Sequence, residues 1–99
     1  MHSHYMILAG QFSAVQRASL IQYIHAEMCD WFNYTADAWL VCTSDPATKL
    51  VAALNLRFPG TYHMVVKLEP RAMMGGSLPE EAWTWLRRHD LVAGLGPKE

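Results

Sequence analysis

The chain has 99 residues, of which 52% are apolar and 17% charged, and its formal net charge is −1. This length predicts a single domain over residues 1–99 with one modest core, and the charge content is low against about 25% in an average domain. The eight Lys and Arg residues are scattered, which argues against a protein that holds duplex nucleic acid by phosphate neutralisation alone.

A strand and a helix are predicted first. Tyr5–Ala9 is an apolar run bounded by Gly10, which is typical of a buried central strand. The helix is predicted to begin at Ser13, with Gln16 as its capping-box partner. Its apolar stripe at helical spacing consists of Leu20, Ile21, Ile24 and Met28. Arg17 falls on the same stripe and is expected at its rim.

A hairpin is predicted next. Trp31–Tyr34 and Asp37–Thr43 are aromatic and β-branched runs separated by Thr35 and Ala36. Such runs favour strands, and the short separation indicates an antiparallel pair. The turn lacks the favoured Asn-Gly pair.

A second helix and a fourth strand follow. Asp45 before Pro46 predicts a helix start, because the carboxylate can accept from backbone donors and proline suits the first helical position. Its buried positions are predicted to be Leu50, Val51 and Leu54. Pro59-Gly60 ends the helix. Tyr62–Glu69 then alternates apolar and polar residues like a half-exposed strand.

The order βαββαβ predicts an α+β, ferredoxin-like fold with its core over about residues 5–69. This scaffold hosts many unrelated functions. A flexible Gly-Gly link at residues 74–77 leads to a short C-terminal helix over about residues 79–89. The tail over residues 94–99 is expected to be disordered.

The last helix carries the predicted interaction surface: Trp83, Trp85, Arg87 and Arg88. Trp83 and Trp85 stand two residues apart and cannot share one helical face. One is therefore expected to cap the core, while the other is left for a groove, a partner or a second subunit. The surplus of apolar residues also predicts an exposed apolar patch, with a single well-filled monomer core as the alternative.

No catalytic residue, cofactor or resident metal is predicted from motifs. His2 and His4 alternate and could supply two metal ligands if the first strand starts early, but a third ligand would have to come from elsewhere. Cys29 and Cys42 lack the CxxC spacing of zinc sites, and no signal peptide or membrane span is evident. A cytoplasmic protein with reduced thiols is expected, with no membrane partner.

Several segments together carry a family resemblance. They are Tyr5–Leu8, Trp31–Tyr34, Asp37–Thr43, the helix through Leu54, and Tyr62–Leu68. This series resembles the small SinR-like proteins, which are relatives of the CRISPR-associated Cas-two proteins. The resemblance covers about residues 5–69 and implies a ferredoxin-like fold that commonly pairs into a homodimer through its sheet.

The resemblance also bears on catalysis. In the nuclease-like relatives, the end of the first strand presents an Asp that, with its symmetry mate, is proposed to hold a divalent metal for phosphodiester cleavage. That place falls on Gly10 here, with Gln11 beside it. Neither residue replaces the carboxylate that a hard cation prefers. The catalytic role is therefore not carried over, and a protein that is not an enzyme is favoured.

Three functions are considered. The favoured one is a small, non-catalytic, homodimeric module that binds another protein in a prokaryotic or phage defence, CRISPR-related, inhibitor or toxin–antitoxin setting. The first alternative is a nuclease or ribonuclease dependent on Mg²⁺ or Mn²⁺, with Gln11 and Asp37 as its candidate residues. The second is nucleic-acid binding without cleavage, through Arg87, Arg88 and the tryptophans.

Overall fold

A computed structural model describes residues 2–35, 37–72 and 76–93 of the chain. Its elements are β1 (Ser3–Gly10), α1 (Ala14–Glu27), β2 (Asp30–Thr35), β3 (Ala38–Thr43), α2 (Ala47–Arg57), β4 (Tyr62–Leu68) and α3 (Glu80–Arg88). The four strands form one antiparallel sheet in the order β2-β3-β1-β4. The predicted α+β class is confirmed, and the short C-terminal helix predicted over about residues 79–89 is present as α3.

The chain divides into two compact units, residues 1–67 and residues 68–99. The first unit contains the two long helices and nearly all of the sheet. In the second, Ala72 and Val92 form a parallel bridge, and an ion pair of 3.3 Å joins Arg71 to Asp90 beside it. The predicted tail over residues 94–99 and the first half of the predicted link over 74–77 lie outside the described residues.

Strand β3 is paired along both of its edges. Its Leu40 lies between Met6 of β1 and Phe32 of β2. A register irregularity interrupts the β2–β3 ladder between Asn33 and Thr35, next to the predicted turn. The predicted antiparallel hairpin is confirmed.

The start of α1 is the predicted one. The Ser13 hydroxyl accepts from the Gln16 backbone N–H at 3.1 Å, and the Gln16 side chain accepts from the Ser13 N–H at 2.8 Å. Two donors that the first helical turn leaves without partners are thereby satisfied. Leu20 and Ile24 of the predicted stripe are buried, and so is Tyr23, which the predicted stripe did not include.

The predicted cap of α2 is wrong. Pro46, not Asp45, occupies the N-cap, and no side chain caps the helix. The Asp45 carboxylate instead pairs with Lys49 at 3.3 Å, while the Asp45 backbone carbonyl accepts from the Tyr5 hydroxyl at 3.2 Å. In the body of the helix Leu50 is buried as predicted, as is Leu54, whereas Val51 is exposed.

The core of the first unit lies between α1, α2 and one face of the sheet. Alternate residues of β1 point into it, namely Tyr5, Ile7 and Ala9, together with Trp39 and Val41 of β3. They pack against Leu20, Ile24, Leu50 and Leu54 of the helices. The other residues of β1 and β3 therefore face away from α1 and α2.

Replacing the core tryptophan should be costly. The Trp39 side chain is 3% exposed, and no described residue accepts a hydrogen bond from its indole N–H, so its contribution is packing. Trp39→Ala should lower the free energy of unfolding by about 3–5 kcal/mol. Trp31→Ala is the matched control, because Trp31 touches the same ring but is 38% exposed. Urea unfolding should show a clearly smaller loss for this control, and equal losses would contradict the assignment.

Candidate functional site

The structure buries both tryptophans of the predicted interaction helix. With 3.6 residues per turn, the four buried residues of α3 cover an arc of about 160°, and Trp83 and Trp85 stand at its two edges. The expectation that one indole is left at the surface is therefore not met. Both indoles lie on one buried face of α3. This face is wider than the narrow apolar stripe on which the prediction was based.

The basic pair of the predicted surface lies on the other side of α3, and both Arg87 and Arg88 are exposed. Arg87 forms an ion pair of 2.9 Å with Glu80, two turns earlier on the same helix. This pairing offsets part of the positive charge that a nucleic-acid surface would need.

The candidate residues of the nuclease alternative lie near the end of β1. The Asp37 backbone carbonyl accepts from the Ala9 N–H at 2.8 Å, and Gln11 is exposed with a left-handed φ of 60°. The Asp37 carboxylate forms an ion pair of 3.1 Å with the Arg17 guanidinium. Among the described residues, the clusters of His, Cys, Asp and Glu with metal-ligating geometry do not include Asp37.

The edge strand β4 exposes large apolar side chains. His63 points towards α2, where its Nε2 lies 2.9 Å from the Asn55 amide oxygen, and Val65 packs against the core. Because side chains alternate along a strand, Tyr62 and Met64 lie on the face away from α2, where they are 77% and 57% exposed. Leu8, on the same face of neighbouring β1, is 37% exposed.

A second group of candidate side chains lies at the other end of the central strands. The Cys29 thiol is 2.9 Å from the Cys42 sulfur and 3.0 Å from the Cys42 carbonyl oxygen, to which it donates. The ligand atoms of His2, Cys29 and Cys42 all lie within 4.8 Å of one another. His4 is the direct cross-strand partner of Cys42.

Cys42 is the buried member of this group, whereas Cys29 and His2 are exposed. Burial raises the pKa of the Cys42 thiol to about 12, with the contact to Cys29 as the second cause. Both cysteines are present as free thiols. Solvent therefore reaches the cluster at His2 and Cys29, whereas the Cys42 sulfur is shielded from it.

Sequence reasoning missed the pairing of the two cysteines, although a signal for it was present. A turn centred on Thr35 and Ala36 places Cys29 opposite Cys42 across the hairpin. The structure brings them together, with Cys42 opposite Asp30 and the Cys29 N–H bonded to the Cys42 carbonyl at 2.9 Å. His2 and His4 were expected to supply two metal ligands only if the first strand starts early. It does start early, because β1 begins at Ser3 and includes His4.

Comparison with known proteins gives no match to a family model, a curated protein or a solved structure. The SinR-like resemblance therefore stays a prediction. In the part of the chain that the structure describes, none of the helices is long and apolar enough to cross a membrane.

Placing a carboxylate at the end of β1 should destabilise the protein. A Cβ at Gly10 would lie 3.3 Å from the Tyr62 carbonyl oxygen, a backbone atom of the neighbouring strand. Gly10→Asp should therefore lower the free energy of unfolding by about 1–3 kcal/mol, as overpacking does. Gly10→Ala, which adds the Cβ without the charge, should show a smaller loss in urea unfolding. A Gly10→Ala variant more stable than the parent would contradict this account of the glycine.

Proposed function

We propose that this protein is a small, non-catalytic interaction module that forms a homodimer through the edge of its sheet at β4. The observation that carries the proposal is the exposure of Tyr62 and Met64 on the outermost strand. An edge strand presents unpaired backbone N–H and C=O groups that can pair with another chain. A second copy of the chain could therefore contact both the exposed side chains and the backbone groups of β4.

The composition of β4 favours pairing. Tyr62–Leu68 contains one charged residue, Lys67, and no proline. Proteins commonly protect edges with charges, prolines or bulges. The sequence of β4 carries little of this protection, which favours pairing of its edge with a second copy.

The opposite edge of the sheet differs. Strand β2 is irregular between Asn33 and Thr35, and the Asn33 side-chain amide donates to the backbone carbonyls of Thr35 and Ala38. Trp31 is stacked on His25 of α1, with ring centroids 4.3 Å apart. An irregular edge whose side chains are engaged internally is a poorer template for strand addition. These features favour β4 over β2.

A symmetric β4 pair would bury apolar area from both protomers. A twofold axis makes the interface isologous, so each favourable contact occurs twice. Complete burial of a side chain the size of Met contributes about 1.5–3 kcal/mol, and Tyr62 adds a larger surface. Leu8, on the same face, extends the apolar surface beyond the edge strand.

The ferredoxin-like assignment belongs to this proposal. The first six elements run in the order βαββαβ, and the strand order β2-β3-β1-β4 is compatible with that fold. The resemblance to SinR-like and Cas-two-like proteins implies pairing through the sheet. The apolar surface of the dimer would bind a further protein in a cytoplasmic defence, CRISPR-related, inhibitor or toxin–antitoxin setting.

A charge placed on β4 should dissociate the dimer. Met64→Lys puts an ammonium group on each side of the twofold interface, and its desolvation and mutual repulsion should weaken dimerisation at least tenfold, equivalent to about 1.4 kcal/mol. Light scattering during size-exclusion chromatography at tens of micromolar should show a dimer for the parent chain and a shift to monomer for the variant. Circular dichroism should show an unchanged fold.

Leu56→Lys is the matched control, because Leu56 is 82% exposed and belongs to α2 and not to β4. Its dimer should be as tight as that of the parent. A monomeric parent chain at tens of micromolar would refute the proposal, and equal dissociation of both lysine variants would remove β4 from the interface.

A further inference from the structure

We propose that His2, His4, Cys29 and Cys42 form a binding site for Zn²⁺ near the start of β1. The inference does not depend on the proposed dimer, because these residues lie within the first unit and outside the β4 edge. Two thiolates and two imidazoles are a ligand set that Zn²⁺ takes up in tetrahedral geometry.

The strand register aligns His4 with Cys42, and the start of β2 brings Cys29 beside Cys42. His4 and Cys42 are direct partners across β1 and β3, and side chains of direct partners point to the same face. Cys29 comes immediately before β2, and its sulfur lies 2.9 Å from that of Cys42. The three side chains therefore come from three adjacent strands or strand ends. The β1–β3 ladder and the hydrogen bond from the Cys29 N–H to the Cys42 carbonyl hold this arrangement without a metal ion.

His2 supplies the fourth ligand. Its nearest ring nitrogen lies within 4.8 Å of both sulfur atoms. In a tetrahedral site with Zn–S bonds of about 2.3 Å, two sulfurs lie about 3.7 Å apart. A small outward rotation of the exposed Cys29 side chain supplies this separation. His2 is exposed and can turn onto the ion from the solvent side.

The charges around the cluster also suit a cation. Asp30 is the register partner of Cys42 on β2, which places its carboxylate on the same face of the sheet. Binding replaces the two S–H protons by two sulfur–metal bonds, and the protons pass to solvent. Two thiolates neutralise a divalent ion, and the Asp30 carboxylate adds attraction outside the coordination sphere.

The test is titration of the reduced full chain with Co²⁺, followed by Zn²⁺. A phosphine reductant that does not bind metal keeps both thiols free. The expected result is one Co²⁺ per chain with near-ultraviolet thiolate charge transfer and the visible bands of a tetrahedral ion. Zn²⁺ should then abolish both signals by displacement. Zn²⁺ should also raise the melting temperature, because a ligand that binds only the native state stabilises it.

Variants identify the ligands. Cys29→Ser changes an exposed side chain, so it should keep the fold, verified by circular dichroism. Loss of a direct ligand should weaken Co²⁺ binding by more than the 10–100-fold typical of an outer-shell partner. The double variant His2→Ala/His4→Ala should lose affinity to a similar extent. His25→Ala is the matched control, because His25 is exposed on α1 and outside the cluster.

Three results would overturn the site. The first is absence of thiolate charge transfer with equimolar Co²⁺. The second is an affinity that is unchanged in Cys29→Ser or in the double histidine variant. The third is failure to bind metal in the reduced protein, together with a two-hydrogen mass loss in air that Cys29→Ser prevents. That third result would reassign the two cysteines to a disulfide.

Discussion

The complete burial of β3 is the constraint on which the rest of the structure depends. All six of its residues are buried, and its backbone is paired with β1 on one edge and with β2 on the other. A strand in this position must be apolar on both faces, which explains the run from Ala38 to Cys42. Trp39 and Val41 anchor the helices of the first unit, while Cys42 lies on the opposite face.

Both candidate surfaces follow from this central strand. Because β3 and β1 occupy the middle of the sheet, β2 and β4 become its edges. The irregularity at Asn33 protects one edge, and the other carries exposed Tyr62 and Met64. At one end of β3, Cys42 lies opposite His4 and beside Cys29, and near the other end Asp37 pairs with Arg17. The fold thus separates the proposed contact surface from the proposed metal site.

Local signals predicted much of this fold. The capping box of Ser13 and Gln16, the hairpin and the alternation along β4 depend on neighbouring residues, and such patterns are visible in a sequence. The errors arose where two local solutions were available. Asp45 can cap a helix or pair with Lys49, and the structure shows the ion pair. The spacing of Trp83 and Trp85 excludes a narrow stripe but permits the wide buried face of α3.

The sequence by itself determined the α+β class, the order of the elements and the central place of the apolar strands, because hydrophobic periodicity and capping act within a few residues. Only the tertiary structure decided that Cys29 lies beside Cys42 and His4 opposite it, that Asp37 pairs with Arg17 and that Met64 is left exposed. These outcomes depend on strand register and packing, which join residues distant in the chain and shift every contact when the pairing moves by one residue.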